Sequence, residues 1–186
     1  DYHQRPTYVF DRGNWLQPTK EVKPDVPKSL NSWKPEWGKN RLGFAQWIVD
    51  RENSLTSRTV VNRLWNQVFG RGIVSTIEEM GTQSEPPSHP ALLDWMSVHL
   101  MEDQKWSLKS LIRSIVLSGT YQQNSTINEN NYQKDPLNIY YARGTKLRLK
   151  AEEVRDQALA VSGLLSPKIG GPAVKPPQPK GFGKQR

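Results

Sequence analysis

The run Ser54-Leu55-Thr56-Ser57-Arg58-Thr59-Val60-Val61-Asn62-Arg63-Leu64-Trp65-Asn66-Gln67-Val68-Phe69-Gly70 decides the fold class. Val60, Val61, Leu64, Trp65 and Val68 fall at i, i+1, i+4, i+5 and i+8, the stripe of an amphipathic helix and not the alternation of a strand. Ser54, Thr56 or Ser57 offers a hydroxyl to cap its start. Gly70 stands where a helix end favours a left-handed residue.

The same periodicity recurs on both sides of this run. A short apolar segment, Leu42 to Val49, precedes it. A helix opening at Ser88-His89-Pro90 continues through Leu92, Leu93, Trp95, Met96 and Leu100, with Pro90 in the first turn, where a missing N–H costs nothing. A fourth starts at Ser107 and buries Leu108, Leu111, Ile112, Ile115 and Val116. A fifth, Lys150 to about Val161, places Ala151, Val154, Ala158 and Val161 on one face. With no sustained strand pattern, the sequence predicts an all-α domain, an irregular bundle of about five helices.

Three zones follow. Residues 1–40 form an extended Pro/Trp-rich arm, in which only Val9-Phe10 reads as a short strand before the Arg12-Gly13-Asn14 turn. Its Trp15, Trp33 and Trp37 need a surface to bury them, on the following helices or on a partner chain. Residues 41–163 form the helical domain, in which the Asn- and Gln-rich link from Asn124 to Asn138 reads as a mobile loop. Residues 164–186 form a Pro/Gly-rich basic tail without a packed element.

The 186 residues suit one domain. Twenty-six basic against eighteen acidic residues give a net charge of +8, and Lys146 to Arg186 carries most of it, with nine basic residues against Glu152, Glu153 and Asp156. A solvated basic tail and a polyanion-binding segment are both open. No apolar run reaches the roughly 18 residues of a membrane helix. The start at Asp1-Tyr2-His3 carries no signal peptide, and points to a processed product or a piece of something longer. With no cysteine, the chain has no disulfide, no thiol nucleophile and no means of attaching haem covalently through C-x-x-C-H.

No reaction is written in these residues. His3, His89 and His99 have no second histidine at metal-ligand spacing, so no metal site is expected. His89 abuts a helix start, where its ring is placed to cap or to bond backbone, and His99 reads as a core-edge or surface residue. Met80, Met96 and Met101 read as core filler and not as haem ligands. Glu152, Arg155 and Asp156 share a helix face as an ion-pair network, while Arg58, Asn62 and Asn66 form a polar stripe beside Trp65. No catalytic residue is assigned. The candidate polar cluster is Arg58, Asn62, Arg63, His89, Asp94, Arg148, Glu152 and Arg155.

A series of spaced words adds a resemblance. Leu55-Thr56-Ser57-Arg58, Val61-Asn62-Arg63-Leu64-Trp65 and Phe69-Gly70-Arg71-Gly72-Ile73-Val74 come first. Pro87-Ser88-His89-Pro90-Ala91-Leu92-Leu93-Asp94-Trp95, Trp106-Ser107-Leu108-Lys109 and Ser118-Gly119-Thr120-Tyr121-Gln122 follow. Arg148-Leu149 with Ala151-Glu152 and Arg155-Asp156, then Ser162-Gly163 and Gly170-Gly171-Pro172, complete the order. Over most of residues 8–175 this resembles the planctomycete-type domain of unknown function found toward the carboxyl end of large exported proteins, which often carry a cytochrome-c domain upstream. Glu79-Met80-Gly81 departs from the Asp-Phe-Gly-like word common there.

The resemblance implies export to the periplasm or cell envelope, haem in an associated domain and none in this chain, and no established activity. It also lowers the expectation of nucleic acid as a partner. Three functions stay open. The first is a non-catalytic helical interaction module, holding other domains or chains of a cytochrome-c-associated assembly. The second is part of an enzyme on an extracellular polymer, its site completed by an adjoining domain. The third is a polyanion-binding module.

Overall fold

In a computed structural model of the chain, which describes residues 5–172, an asparagine and not a hydroxyl residue starts the helix that the sequence marks most clearly. Asn53 Oδ1 accepts from the backbone N–H groups of Leu55 and Thr56, both at 3.2 Å. An asparagine just ahead of the first turn reaches these otherwise orphaned donors from outside the helix. The helix, α2, runs Ser54–Phe69, after the shorter α1, Arg41–Ile48, capped in the same way by Asn40 on Gly43. Gly70 ends α2 at φ 75°, its N–H on Asn66 O at 2.7 Å, as the sequence leads one to expect.

Two further helices complete the packed body: α3, Pro90–Glu102, with Pro90 in its first turn, and α4, Leu108–Val116, capped by Ser107. Val61, Trp65 and Phe69 of α2 meet Leu93, Met96 and Leu100 of α3, with Leu111 and Ile115 of α4 closing the core. Ile73 and Val74, from the α2–α3 link, and Tyr141 enter the same core. Trp95 is a correction to the periodicity reading: it lies off the buried stripe of α3 and is 58% exposed.

The arm holds more regular structure than its prolines suggest. β1, Thr7–Phe10, and β2, Pro18–Val22, pair antiparallel with Thr7 opposite Val22 and Phe10 opposite Pro18. Pro18 opens its strand, where its missing N–H breaks no ladder. The reversal uses Arg12 and Gly13 at positive φ, with Asp11 N–H on Gln17 O at 3.0 Å. Of the arm's tryptophans, Trp33 and Trp37 meet edge to face at 6.3 Å and are half-buried, while Trp15 stays 74% exposed.

The link expected to be a mobile loop carries a helical turn and a bonded loop. α5, Glu129–Lys134, is capped by Asn128. Asp135, itself buried, then accepts from the N–H groups of Ile139 and Tyr140, both at 2.8 Å. Arg143 donates to the carbonyls of Asp135 and Pro136 at 3.1 and 2.8 Å. The described residues are thus mostly helical, with one short two-stranded sheet.

The chain divides into two compact units between Leu147 and Arg148. Within the second unit, α6, Ala151–Val161, starts with Glu153 Oε2 accepting from Lys150 N–H at 2.8 Å. Its Val154 and Val161 are exposed. The first four residues, His3 among them, and the basic tail from residue 173 lie outside the described residues. Among the described residues no helix is long and apolar enough to cross a membrane.

Candidate functional site

Asn62 lies on the buried face of α2 and is fully enclosed. Its amide spans the backbone of Val74, accepting from N–H at 2.9 Å and donating to O at 3.0 Å. Gly72 makes room for this: a Cβ there would lie 2.8 Å from Asn62 Oδ1 and 2.5 Å from Val74 O. The two bonds pin the link from α2 to α3, and full burial keeps the rest of the Asn62 amide from any substrate.

The other sequence candidates in the first unit are taken up locally. Arg58 Nε and Nη2 both lie 2.7 Å from Asp94 Oδ1, tying α2 to α3 at the surface. Arg63 pairs with Glu78 at 3.0 Å. His89 does not cap α3; its Nδ1 lies 3.0 Å from Ser88 Oγ, and its ring packs beside Tyr140 and Tyr141 at 6.1 and 5.5 Å. Ser88 donates to Ile73 O at 3.1 Å, so its oxygen accepts from His89 Nδ1–H.

Arg148, Glu152 and Arg155 belong to the second unit, and all are exposed. There the expected network is reduced to Arg155 and Asp156, 3.6 Å apart. Among the described residues, no three His, Asp or Glu side chains gather as metal ligands would.

Tyr141 is the polar centre of the core. Trp65 Nε1–H donates to its Oη at 2.8 Å, and Oη donates to Arg71 O at 3.3 Å. The backbone of Tyr141 is left-handed at φ 52°, held there by the loop that Asp135 and Arg143 organise. Burial pushes its phenol upward from the usual value, against the pull of the Trp65 N–H and the Arg71 charge. A half-buried ion pair lies near α1, where Lys34 Nζ reaches Asp50 Oδ2 at 2.6 Å. Burial alone would raise Asp50, but the Lys34 hydrogen bond and the Glu52 N–H together hold it below the usual carboxylate value.

A concave feature of the first unit with apolar walls lies elsewhere, between α2, α3 and α4. It holds about 190 Å³ and has Trp65, Leu92, Trp95 and Ile115 among its walls. His99, Ser114, Ser118 and Thr120 bring polar groups to it. Trp95 and His99 stack at 4.9 Å with 11° between planes, and His99 Nδ1 lies 2.6 Å from Asp103 Oδ2. Serine, histidine and aspartate are the composition of a hydrolase, but the serine protons are committed to carbonyls. Ser114 donates to Ser110 O at 3.0 Å and Ser118 to Ile115 O at 2.6 Å. Neither hydroxyl addresses the imidazole as a nucleophile must.

Sequence reasoning did not single out this cleft. Trp95, His99 and Asp103 lie at i, i+4 and i+8, a stripe legible on α3 had Trp95 not been counted with the core.

A family model described as PSD1, protein of unknown function (DUF1553), matches residues 40–186. No curated protein and no solved structure matches the chain.

Proposed function

The chain belongs to the PSD1 (DUF1553) family, and on that premise we propose that it is a non-catalytic helical interaction module of an exported, cytochrome-c-associated multidomain protein of planctomycete type. The observation that carries this reading is how the polar candidates are used. A reaction centre needs titratable groups converging on one reacting atom. In the first unit Arg58 faces Asp94, Arg63 faces Glu78, and Asn62 is closed onto Val74.

The exposed surface supports the same reading. Trp15 and Trp95 present large apolar area to solvent, as docking surfaces do. Haem would sit in an associated domain, because covalent attachment needs cysteines and this chain has none. The partners are then other domains or chains of that assembly in the periplasm or cell envelope, with no call for a nucleic acid.

The test is to purify the parent assembly natively, record its visible spectrum and identify the co-purifying chains by mass spectrometry. A Soret band in constant ratio to a cysteine-bearing haem domain or chain is the expected result. A colourless, solitary chain overturns the reading.

A further inference from the structure

The cleft between α2, α3 and α4 has a hydrogen-bonding character that its walls alone do not reveal. Asp103 carboxylate only accepts, so the proton between it and His99 resides on Nδ1, and in the neutral imidazole Nε2 then carries the lone pair. Asp103 is not among the residues lining the cleft, whereas His99 is, so with Nδ1 committed to Asp103 the ring nitrogen left for an occupant is Nε2. Ser114 and Ser118 each donate to a backbone carbonyl and accept from Gln104 Nε2 and Tyr121 N–H, so all that either has left for an occupant is one lone pair. Of the cleft's hydroxyls, that of Thr120 makes no hydrogen bond among the described residues and is free to turn either way.

We propose that this cleft binds a single neutral aromatic ring bearing one hydrogen-bond donor, a phenol-type group whose O–H is accepted by His99 Nε2. The size agrees: an apolar cavity of about 150 Å³ takes benzene, and this one holds about 190 Å³. The chemistry agrees as well. An occupant with only acceptors would set lone pair against lone pair at His99, Ser114 and Ser118, and a charged one would lose its hydration against Leu92, Met96 and Ile115. The inference does not rest on the interaction-module reading. A tyrosine side chain of a partner and a free phenol share this chemistry.

Phenol and toluene, which differ by one hydroxyl on the same ring, test it. The isotopically labelled chain is titrated with each, following the Trp95 indole N–H and the His99 Nε2 nitrogen by NMR. Both ligands should saturate with shifts centred on Trp95, and only phenol should move His99 Nε2. His99→Phe should shift the phenol-to-toluene affinity ratio toward toluene about fivefold, the value of one neutral hydrogen bond, and Leu92→Trp should block both.

The Nε2 readout needs no variant, so it stands even if His99→Phe fails to fold. N-acetyltyrosinamide distinguishes the sources. Binding like phenol assigns the site to a tyrosine side chain, and exclusion with phenol still bound assigns it to a free small molecule. Absence of saturation by phenol, or an Nε2 signal that phenol and toluene move alike, overturns the proposal.

Discussion

Asn62 and Val74 exchange two hydrogen bonds, side-chain amide to main-chain amide, at 2.9 and 3.0 Å in an interior closed to water. The asparagine does for the link what a neighbouring strand would do, and so fixes Ile73 and Val74 in the core without a sheet.

Asn62→Ala should therefore leave a buried N–H and a buried C=O unpaired. At about 1–3 kcal/mol for each unmade bond, the loss in urea unfolding should lie near 2–6 kcal/mol. Asn62→Asp should be worse, since it keeps an acceptor for Val74 N–H but sets a buried charge against Val74 O. A loss under about 1 kcal/mol in Asn62→Ala would mean that water reaches the site.

Tyr141→Phe removes the acceptor of the Trp65 indole N–H and the donor to Arg71 O. It should cost about 1–3 kcal/mol at neutral pH. The pH dependence carries the sign. The folded phenol titrates above its ordinary 10.0, so its contribution is present below that value and lost as pH rises through the raised one. Tyr141→Phe should remove that alkaline component from unfolding midpoints measured against pH, and an unchanged alkaline limb would contradict the burial.

Lys34 and Asp50 should show opposite limbs. Asp50, held below its ordinary 3.8, contributes above that value, and the contribution disappears as pH falls through the lowered one. Lys34, raised above 10.5 chiefly by its hydrogen bond to Asp50, contributes below that value and loses it as pH rises further. Lys34→Met leaves burial opposed only by the Glu52 N–H and Asn31 hydrogen bonds, so acid destabilisation should begin at a higher pH. Asp50→Asn should flatten both limbs in the same urea titrations, and an acid limb that Lys34→Met leaves unmoved would refute the coupling.

How far these features were legible follows from what each depends on. The α2 stripe, Gly70 at φ 75° and Pro90 opening α3 are local, and periodicity with end chemistry reads them directly. The hairpin Thr7–Val22 was only half legible, because Val9-Phe10 announces one strand while the partner, Pro18–Val22, begins with a proline. Asn62 appeared as a polar stripe residue, and nothing in a helical pattern tells a solvated asparagine from one turned onto a loop twelve residues away. The link from Asn124 to Asn138 read as a mobile loop for the same reason. The side chains of Asp135 and Arg143 bond nearby backbone, a circuit that composition does not encode. The cleft was missed because Trp95 looks apolar in a pattern and stands exposed in space.

The Arg58–Asp94 pair gives the sharpest contrast between a polar residue that matters for stability and one that does not. It joins α2 to α3 at 2.7 Å, but both side chains are substantially solvated, at 37% and 55% of their free exposure. Water screens such a pair and competes for its hydrogen bonds, so a double-mutant cycle through Arg58→Ala and Asp94→Ala should return a coupling of about 0.2–1 kcal/mol, falling with added salt. Each single variant should then stay within about 1 kcal/mol of the parent, far from Asn62→Ala despite the shorter contact. A coupling well above that range would show that Arg58 and Asp94 are desolvated in solution, and the α2–α3 seam would then have to be counted with the buried polar centre at Asn62 and Tyr141.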